Sequence, residues 1–287
     1  MFDTDNVFAV IVTYNPSVPL LRENIAALVC QVSRLIILDN GSKNVVAICC
    51  LLKNFPTVEF YEADENLGLA RQYNQALYMA YTGGYKWLLT MDQDTVVPKN
   101  LVDTYLGYGN DESVGIISPV IWNACVYRRH EVEKSFSGYG ECTEVTRCIS
   151  SAAMHRVSAL REAGTFDEAL FIDYVDDDCC RSIRAMGYRI LRINNLLVRH
   201  YWGKSTCRKV GLVNIVCPNY PAIRYYYIFR NRIYFERKYG GSLIKLLAFM
   251  LYKGSLLLLE TQRRKKYCMA ARGVCDGFKR RMGKCED

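Results

Sequence analysis

Between residues 7 and 91 the chain alternates short β-rich apolar runs with longer segments of helical periodicity. Val7 to Thr13, Leu35 to Leu38, Val58 to Tyr61 and Trp87 to Met91 read as strands, and 19–32, 43–54 and 67–82 between them read as helices. That alternation predicts a parallel sheet with helical crossovers. Ligands of such sheets bind beyond the C-terminal ends of the strands. The residues at those ends are polar: Thr13-Tyr14-Asn15-Pro16, Asp39-Asn40-Gly41-Ser42, Glu65-Asn66-Leu67-Gly68 and Asp92-Gln93-Asp94.

Further on, 114–152 reads as irregular mixed strands and loops, followed by a helix near 157–162 and a second acidic segment, Phe171-Ile172-Asp173-Tyr174-Val175-Asp176-Asp177-Asp178. Strand-like runs at 189–193 and 196–199 lead into His200-Tyr201-Trp202-Gly203, and Pro221 to Tyr239 is aromatic, basic and helical in pattern. No internal repeat or low-complexity linker interrupts the chain.

Composition sharpens this picture. A chain of 287 residues that is 51% hydrophobic buries a substantial core. The formal charge of +8 is uneven: residues 263–287 hold nine Lys or Arg against three acids, leaving +2 for the rest. That distribution is not the basic surface of a nucleic-acid binder, and no nucleic-acid partner is expected. The N-terminus, Met1-Phe2-Asp3-Thr4-Asp5, is acidic where a secretory signal is basic, and the 13 cysteines include adjacent pairs without repeated C-x-x-C spacing. A cytoplasmic protein with reduced thiols is expected. Segment 243–259 is apolar, but Lys245, Lys253, Gly254 and Ser255 break the run of roughly 20 residues that a spanning helix needs. With Arg263-Arg264-Lys265-Lys266 behind it, it fits the membrane headgroup region, or else a core-packing helix with a solvated basic end.

The polar strand ends carry the candidate chemistry. Asp92 and Asp94 present hard oxygen ligands suited to Mg²⁺ or Mn²⁺ on a diphosphate, although acids after a strand also serve as turn or capping residues. Asp39 can accept hydrogen bonds from a ribose or base, or simply close an Asx turn. Asn66 is a candidate N-cap, Gly68 permits close backbone approach, and Arg71 lies one turn in, a helix start suited to a phosphate. Asp176 belongs to an acidic cluster at a helix start; one member of that cluster can serve as general base, but the residues alone do not decide which. His200 ends a strand-like run, and a neutral imidazole can complete a carboxylate-bound metal site. His130 and His155 read as surface or packing residues.

Taken together, these segments resemble the inverting GT-A glycosyltransferases of glycosyltransferase family 2, and within them the bacterial rhamnosyltransferases that build O-antigens and related polysaccharides. The resemblance runs over roughly 7–240 and rests on Val10-Ile11-Val12-Thr13-Tyr14-Asn15-Pro16, Leu38-Asp39-Asn40-Gly41-Ser42, Asn66 through Asn74, and Met91-Asp92-Gln93-Asp94. The rhamnosyltransferase character comes from Phe171 through Asp176, Arg184 with Gly187-Tyr188, and Arg224-Tyr225-Tyr226-Tyr227 with Arg230-Asn231. The chain departs from the family at Ser151-Ala152, commonly Ser-Gly, and at Cys179, commonly aromatic or leucine.

The resemblance implies an α/β GT-A fold: a Rossmann-like mixed sheet flanked by helices, with a C-terminal helical extension. A catalytic domain is expected over 1–215, with a nucleotide-sugar half at 1–97 and an acceptor half at 98–215. A basic, membrane-associating extension is expected over 216–287. By resemblance, Thr13, Asn15 and Asp39 hold the nucleoside, Asp94 and His200 the metal, and Asp176 is the base. Tyr14, Asn66, Gly68, Arg71, Asp92 and Gln93 complete the donor site, and Ser151, Asp173, Arg224 and Arg230 are acceptor or diphosphate candidates.

The implied donor is dTDP-β-L-rhamnose. The implied acceptor is a glycan on a polyprenyl diphosphate lipid at the inner leaflet, and a UDP-hexose or UDP-galactofuranose donor is the alternative. A nucleotidyltransferase is disfavoured because Thr13-Tyr14-Asn15-Pro16 stands where that class has a glycine-rich basic loop. A non-enzymatic scaffold binding membrane or nucleic acid through its basic tail is the remaining reading.

Overall fold

The computed structural model describes residues 6–211 and 213–286; the acidic N-terminal pentapeptide lies outside the described residues. The expected alternation is present, as β1 (Val7–Thr13), α1 (Val18–Leu28), β2 (Arg34–Asp39), α2 (Val45–Leu52), β3 (Glu59–Glu62), α3 (Leu69–Thr82) and β4 (Trp87–Asp92). These four strands lie parallel in the order β3-β2-β1-β4. Every residue of β1 is buried, because helices cover both faces of the sheet. Ala9 and Ile11 pack with Leu21, Ile25 and Leu28 of α1, whereas Phe8 and Val10, pointing the other way, pack with Tyr73, Ala76 and Leu77 of α3.

The second half extends this sheet with β5 (Thr95–Val96), β6 (Val114–Asn123), β7 (Cys142–Val145), β8 (Ala153–Arg156) and β9 (Arg189–His200). Strand β8 runs antiparallel to both β4 and β6, which makes the sheet mixed; β9 follows β6, and both β5 and β7 pair with β9. The two runs expected at 189–193 and 196–199 form one strand. The break between them is a register shift, where Pro119 faces Ile193 and the next residue, Val120, faces Leu197. Proline has no N–H to give the ladder, so pairing slips there.

The helices of this half are α4 (Leu101–Leu106), α5 (Arg129–Phe136), α6 (Val157–Glu162) and α7 (Val175–Ala185). The stretch read as irregular is more regular than its pattern: it contains all of the long strand β6 and all of α5. Helix α5 buries none of its residues, so no apolar stripe announces it.

A hairpin of β10 (Thr206–Val210) and β11 (Val213–Cys217) leads to α8 (Ala222–Lys238), α9 (Leu243–Leu257) and α10 (Arg263–Lys279). Helix α10 contains most of the basic tail, yet it is docked on α8. A Cβ on Gly273 would lie 2.3 Å from the Tyr226 carbonyl oxygen, so glycine is required for the helices to approach this closely. Lys266 is buried with Glu260, 2.6 Å away, while Arg263, Arg264 and Lys265 remain exposed.

Candidate active site

Three adjacent strands deliver the first group of residues. Thr13 ends β1 and pairs in register with Asp39 of β2, and Val12 pairs with Asp92 of β4, so the three polar strand ends stand side by side. Asp39 is fully buried; its carboxylate accepts from the Thr13 hydroxyl at 2.6 Å and from the Ser42 hydroxyl and N–H at 2.6 and 2.7 Å. Asn15, at φ +50°, gives its N–H to the Ser42 hydroxyl and accepts from the Lys43 N–H. Gln93 brackets the backbone of Tyr14, accepting from its N–H at 2.7 Å and donating to its carbonyl at 3.3 Å. Asp39 therefore sets the shape of the Thr13–Asn15 loop, and Tyr14 projects outward from it.

Helix α3 begins differently from the expectation. Gly68, at φ +86°, occupies the N-cap position, and Asn66 instead accepts the Gly68 N–H in an Asx turn. The close approach that Gly68 permits is to Phe171, whose Cδ2 would lie 2.6 Å from an added Cβ. Asn66 and the exposed Arg71 line a cleft of about 220 Å³ with Glu168 and Lys284.

Strand β9 brings His200 back against the turn after β4. Thr95 pairs with His200 in register, and ligand atoms of Asp92, Asp94 and His200 all lie within 4.8 Å of one another. His200 Nδ1 is 3.3 Å from Asp94 and Nε2 is 3.9 Å from Asp92. Burial holds the imidazole below its ordinary pKa despite Asp92, so it is neutral and has a lone pair to offer. Burial also raises Asp94, helped by the Asp92 charge, to about 7. Two close carboxylates and a neutral imidazole are a donor set that a divalent cation fits, because its charge offsets both the burial and the repulsion. The residue pattern offered Asp92 and Asp94 as oxygen ligands and the resemblance implied Asp94 and His200; the geometry brings all three together.

Ser151, expected near the acceptor, lies beneath this group and is fully buried. Its hydroxyl is 2.6 Å from that of Thr95 and accepts the Asp92 N–H at 3.2 Å, while Thr95 in turn contacts His200 Nδ1 at 2.7 Å. Ser151 thus supports the donor set from below and is out of reach of an acceptor. Its neighbour Ala152 has φ +58°, which accounts for glycine being common there. Of the other histidines, His155 is buried against Thr90 and His130 is exposed on α5.

The acidic cluster is sorted by its partners. Asp173 binds Arg224 at 2.6 Å, Asp177 pairs with Arg147 at 3.5 Å, and the buried Asp178 is held by Lys238 at 2.8 Å and the Tyr239 hydroxyl at 2.8 Å. Among the described residues, Asp176 is the member of the cluster with no cation. Burial raises it to about 7, with Asp177, Asp173 and Asp92 all adding to the rise. That Asp92 contributes puts the unpaired carboxylate within electrostatic reach of the donor set. Arg224 also reaches it, since its charge opposes the rise at Asp94.

Phe171, Asp173 and Tyr174 all have φ above +60°, a strained path that a bulky residue adopts only when held. Asn231 holds it, donating to the carbonyls of Leu170, Ile172 and Asp173 at 2.7–2.8 Å. Arg230, expected at the acceptor or a diphosphate, is fully buried and donates to the carbonyls of Leu170, Ala169 and Gly283. It is a clamp on the segment that delivers Asp176 and does not face a ligand. In sequence, an Arg-Asn pair amid aromatic residues looks the same in either role.

The chain as a whole is similar to known proteins. Residues 8–164 match the model of glycosyl transferase family 2. The chain is 27% identical over 276 residues to a dTDP-rhamnosyl transferase, RfbF, of Shigella flexneri, covering 91% of this chain and 90% of that protein. Among solved structures it superposes on S. aureus TarS 1–349 in complex with UDP, with a TM-score of 0.51, 14% identity and coverage of 96% and 72%. It also superposes on GalNAc-T7 with UDP, GalNAc and Mn²⁺, with a TM-score of 0.54 and 14% identity, matching 69% of this chain but spanning only 44% of that one. These likenesses establish the GT-A fold. With more than half of its length inside the family model, the chain belongs to glycosyl transferase family 2 and is a glycosyltransferase.

Proposed function

We propose that this enzyme transfers rhamnose with inversion from dTDP-β-L-rhamnose to a hydroxyl of a growing glycan. One observation carries the mechanism: the acid of the 173–178 cluster without a cationic partner stands within electrostatic reach of Asp92, which belongs to a metal-ligand group. The donor assignment is supported by the dTDP-rhamnosyl transferase to which the chain is similar along nearly all of its length.

In this reading the Thr13–Asn15 loop, braced by Asp39 and Gln93, receives the nucleoside. Asp92, Asp94 and His200 would hold a Mg²⁺ or Mn²⁺ ion, which when bound supplies electrostatic stabilisation of the leaving diphosphate. Arg224, fixed by Asp173, adds a second positive charge on the same side. Asp176 takes the proton of the acceptor hydroxyl as its oxygen bonds to the anomeric carbon. The carbon–oxygen bond to the diphosphate breaks on the opposite face, and its electron pair leaves with dTDP. A β-linked donor gives an α-rhamnoside.

The acceptor in this proposal is a glycan on a polyprenyl diphosphate lipid, met at the inner face of the membrane. No helix among the described residues is long and apolar enough to cross a membrane. Helix α9 nevertheless exposes Ile244, Leu247 and Leu251 along one side, with Leu258 exposed just past its end and Arg263, Arg264 and Lys265 exposed beyond that. An apolar stripe beside basic residues is suited to lying in an anionic headgroup layer. Co-sedimentation with phosphatidylglycerol vesicles should be lost in Leu247→Glu/Leu251→Glu; equal pelleting of that variant removes α9 from the role.

Calorimetric titration with dTDP, UDP and GDP, each with and without Mn²⁺ or Mg²⁺, tests the donor assignment. Metal-dependent preference for dTDP is expected. Preference for UDP keeps the mechanism and changes the donor, and no binding of any of the three overturns the proposal.

A further inference from the structure

Behind the acidic cluster, between α7, α8 and the chain that follows β7, lies an open cavity of about 580 Å³. Four arginines line it, Arg147, Arg181, Arg184 and Arg232, against the single lining acid Asp177. Two of the four have acidic partners: Arg147 pairs with Asp177 and Arg232 with Glu236. Arg181 stacks instead on Tyr239, 4.3 Å from the ring centroid, and neither it nor Arg184 has an acidic partner among the described residues. The Nε of Arg232 is buried without a hydrogen-bond acceptor. Converging arginines repel one another, and an anion with several acceptor oxygens seated among them offsets that repulsion.

We propose that this cavity binds a phosphate-bearing group of the acceptor, a diphosphate or phosphodiester. The inference rests on the glycosyltransfer reading and adds the place where a phosphate of the second substrate is held. Asp176 and Asp177 are consecutive on α7 and so point about 100° apart. Asp177 lines the cavity, while Asp176 feels the charge of Asp92. Phosphate oxygens match the planar fork of arginine, which binds them in bidentate fashion. A neutral glycan would not require this concentration of positive charge. The volume also falls within the range of about 300–1,000 Å³ common for ligand sites, leaving space beside Tyr174 for the first sugar or lipid carbons.

The test uses the full chain in EDTA, which disfavours diphosphate binding at the metal-ligand group, with inorganic pyrophosphate and farnesyl diphosphate as calorimetric probes. Wild type should bind pyrophosphate saturably, and Arg147→Ala/Arg184→Ala should weaken it by about tenfold or more. Nucleotide binding in Mn²⁺ should be the same in both proteins, which also reports that the variant is folded. Tighter binding of farnesyl diphosphate identifies a lipid-linked source, whereas equal binding identifies a soluble phosphate-bearing acceptor. If nucleotides bind but pyrophosphate does not, or binds the double variant equally well, the cavity assignment is overturned while the donor reading stands. If nucleotides fail to bind wild type, it is the donor reading that fails.

Discussion

A carboxylate that takes a proton at neutral pH works best with a pKa near the operating pH, and Asp176 is raised to about 7 by burial and by the Asp177, Asp173 and Asp92 charges. The base acts in its ionised form, so kcat should fall as pH drops through about 7; a pH–rate profile flat from 6 to 8 would contradict this. The same shift has a stability consequence. Because the folded pKa lies above the ordinary value of about 3.9, stability present at low pH is lost as pH rises through about 7. Asp176→Asn should therefore melt higher than wild type at pH 8 while transferring about 10²–10⁴-fold more slowly with donor binding intact. Scanning calorimetry and turnover assays read the two effects, and normal turnover would remove Asp176 from its role. Much of this was legible at the residue scale, since Asp92 and Asp94 follow a strand and His200 ends one. The choice of Asp176 among four acids came from the family resemblance and not from the residues themselves, because physically it depends on cations that arrive from residues 147, 224 and 238. Ser151 and Arg230 were misplaced for a related reason: burial decides their roles, and their identity does not reveal it.

Helices and strands were legible where apolar residues mark what is buried. Strands β1, β2 and β4 read clearly because they are almost wholly apolar between polar ends. Helix α5 buries nothing, and α10 is so rich in charge that its packing face is carried largely by small residues such as Ala270, Gly273 and Gly277. Gly273→Leu should therefore cost about 3 kcal/mol in denaturant unfolding, by forcing α10 off α8, whereas Arg264→Ala on the exposed side should change stability by less than about 0.5 kcal/mol. The α8 clamp makes a second prediction. Asn231→Ala strands three carbonyls of the strained segment, so it should destabilise by about 2 kcal/mol and lower kcat more than it weakens nucleotide binding. Equal losses in both would mean that the clamp shapes the donor site instead.

At the scale of the molecule, the sheet brings together residues from both ends of the chain. The parallel strands β1, β2 and β4 present Thr13, Asp39 and Asp92, and β9 returns His200 to the same edge. The helices after residue 216 were expected as an extension, yet α8 supplies Arg224 and the Arg230–Asn231 clamp, which ties that region to the chemistry. Sequence periodicity showed the parallel half, because each strand there precedes its own helix. It could not show the antiparallel insertion of β8 or the long reach of β9, which are set by pairing between distant segments. The central claim, single-step inversion with Asp176 as base, is tested most directly by following dTDP-β-L-rhamnose in the presence of enzyme and Mn²⁺ by NMR, with water or a simple glycoside standing in for the acceptor. The account predicts that the first-formed product has the α configuration and that Asp176→Asn slows its formation by about 10²–10⁴-fold; a first-formed β product would contradict it.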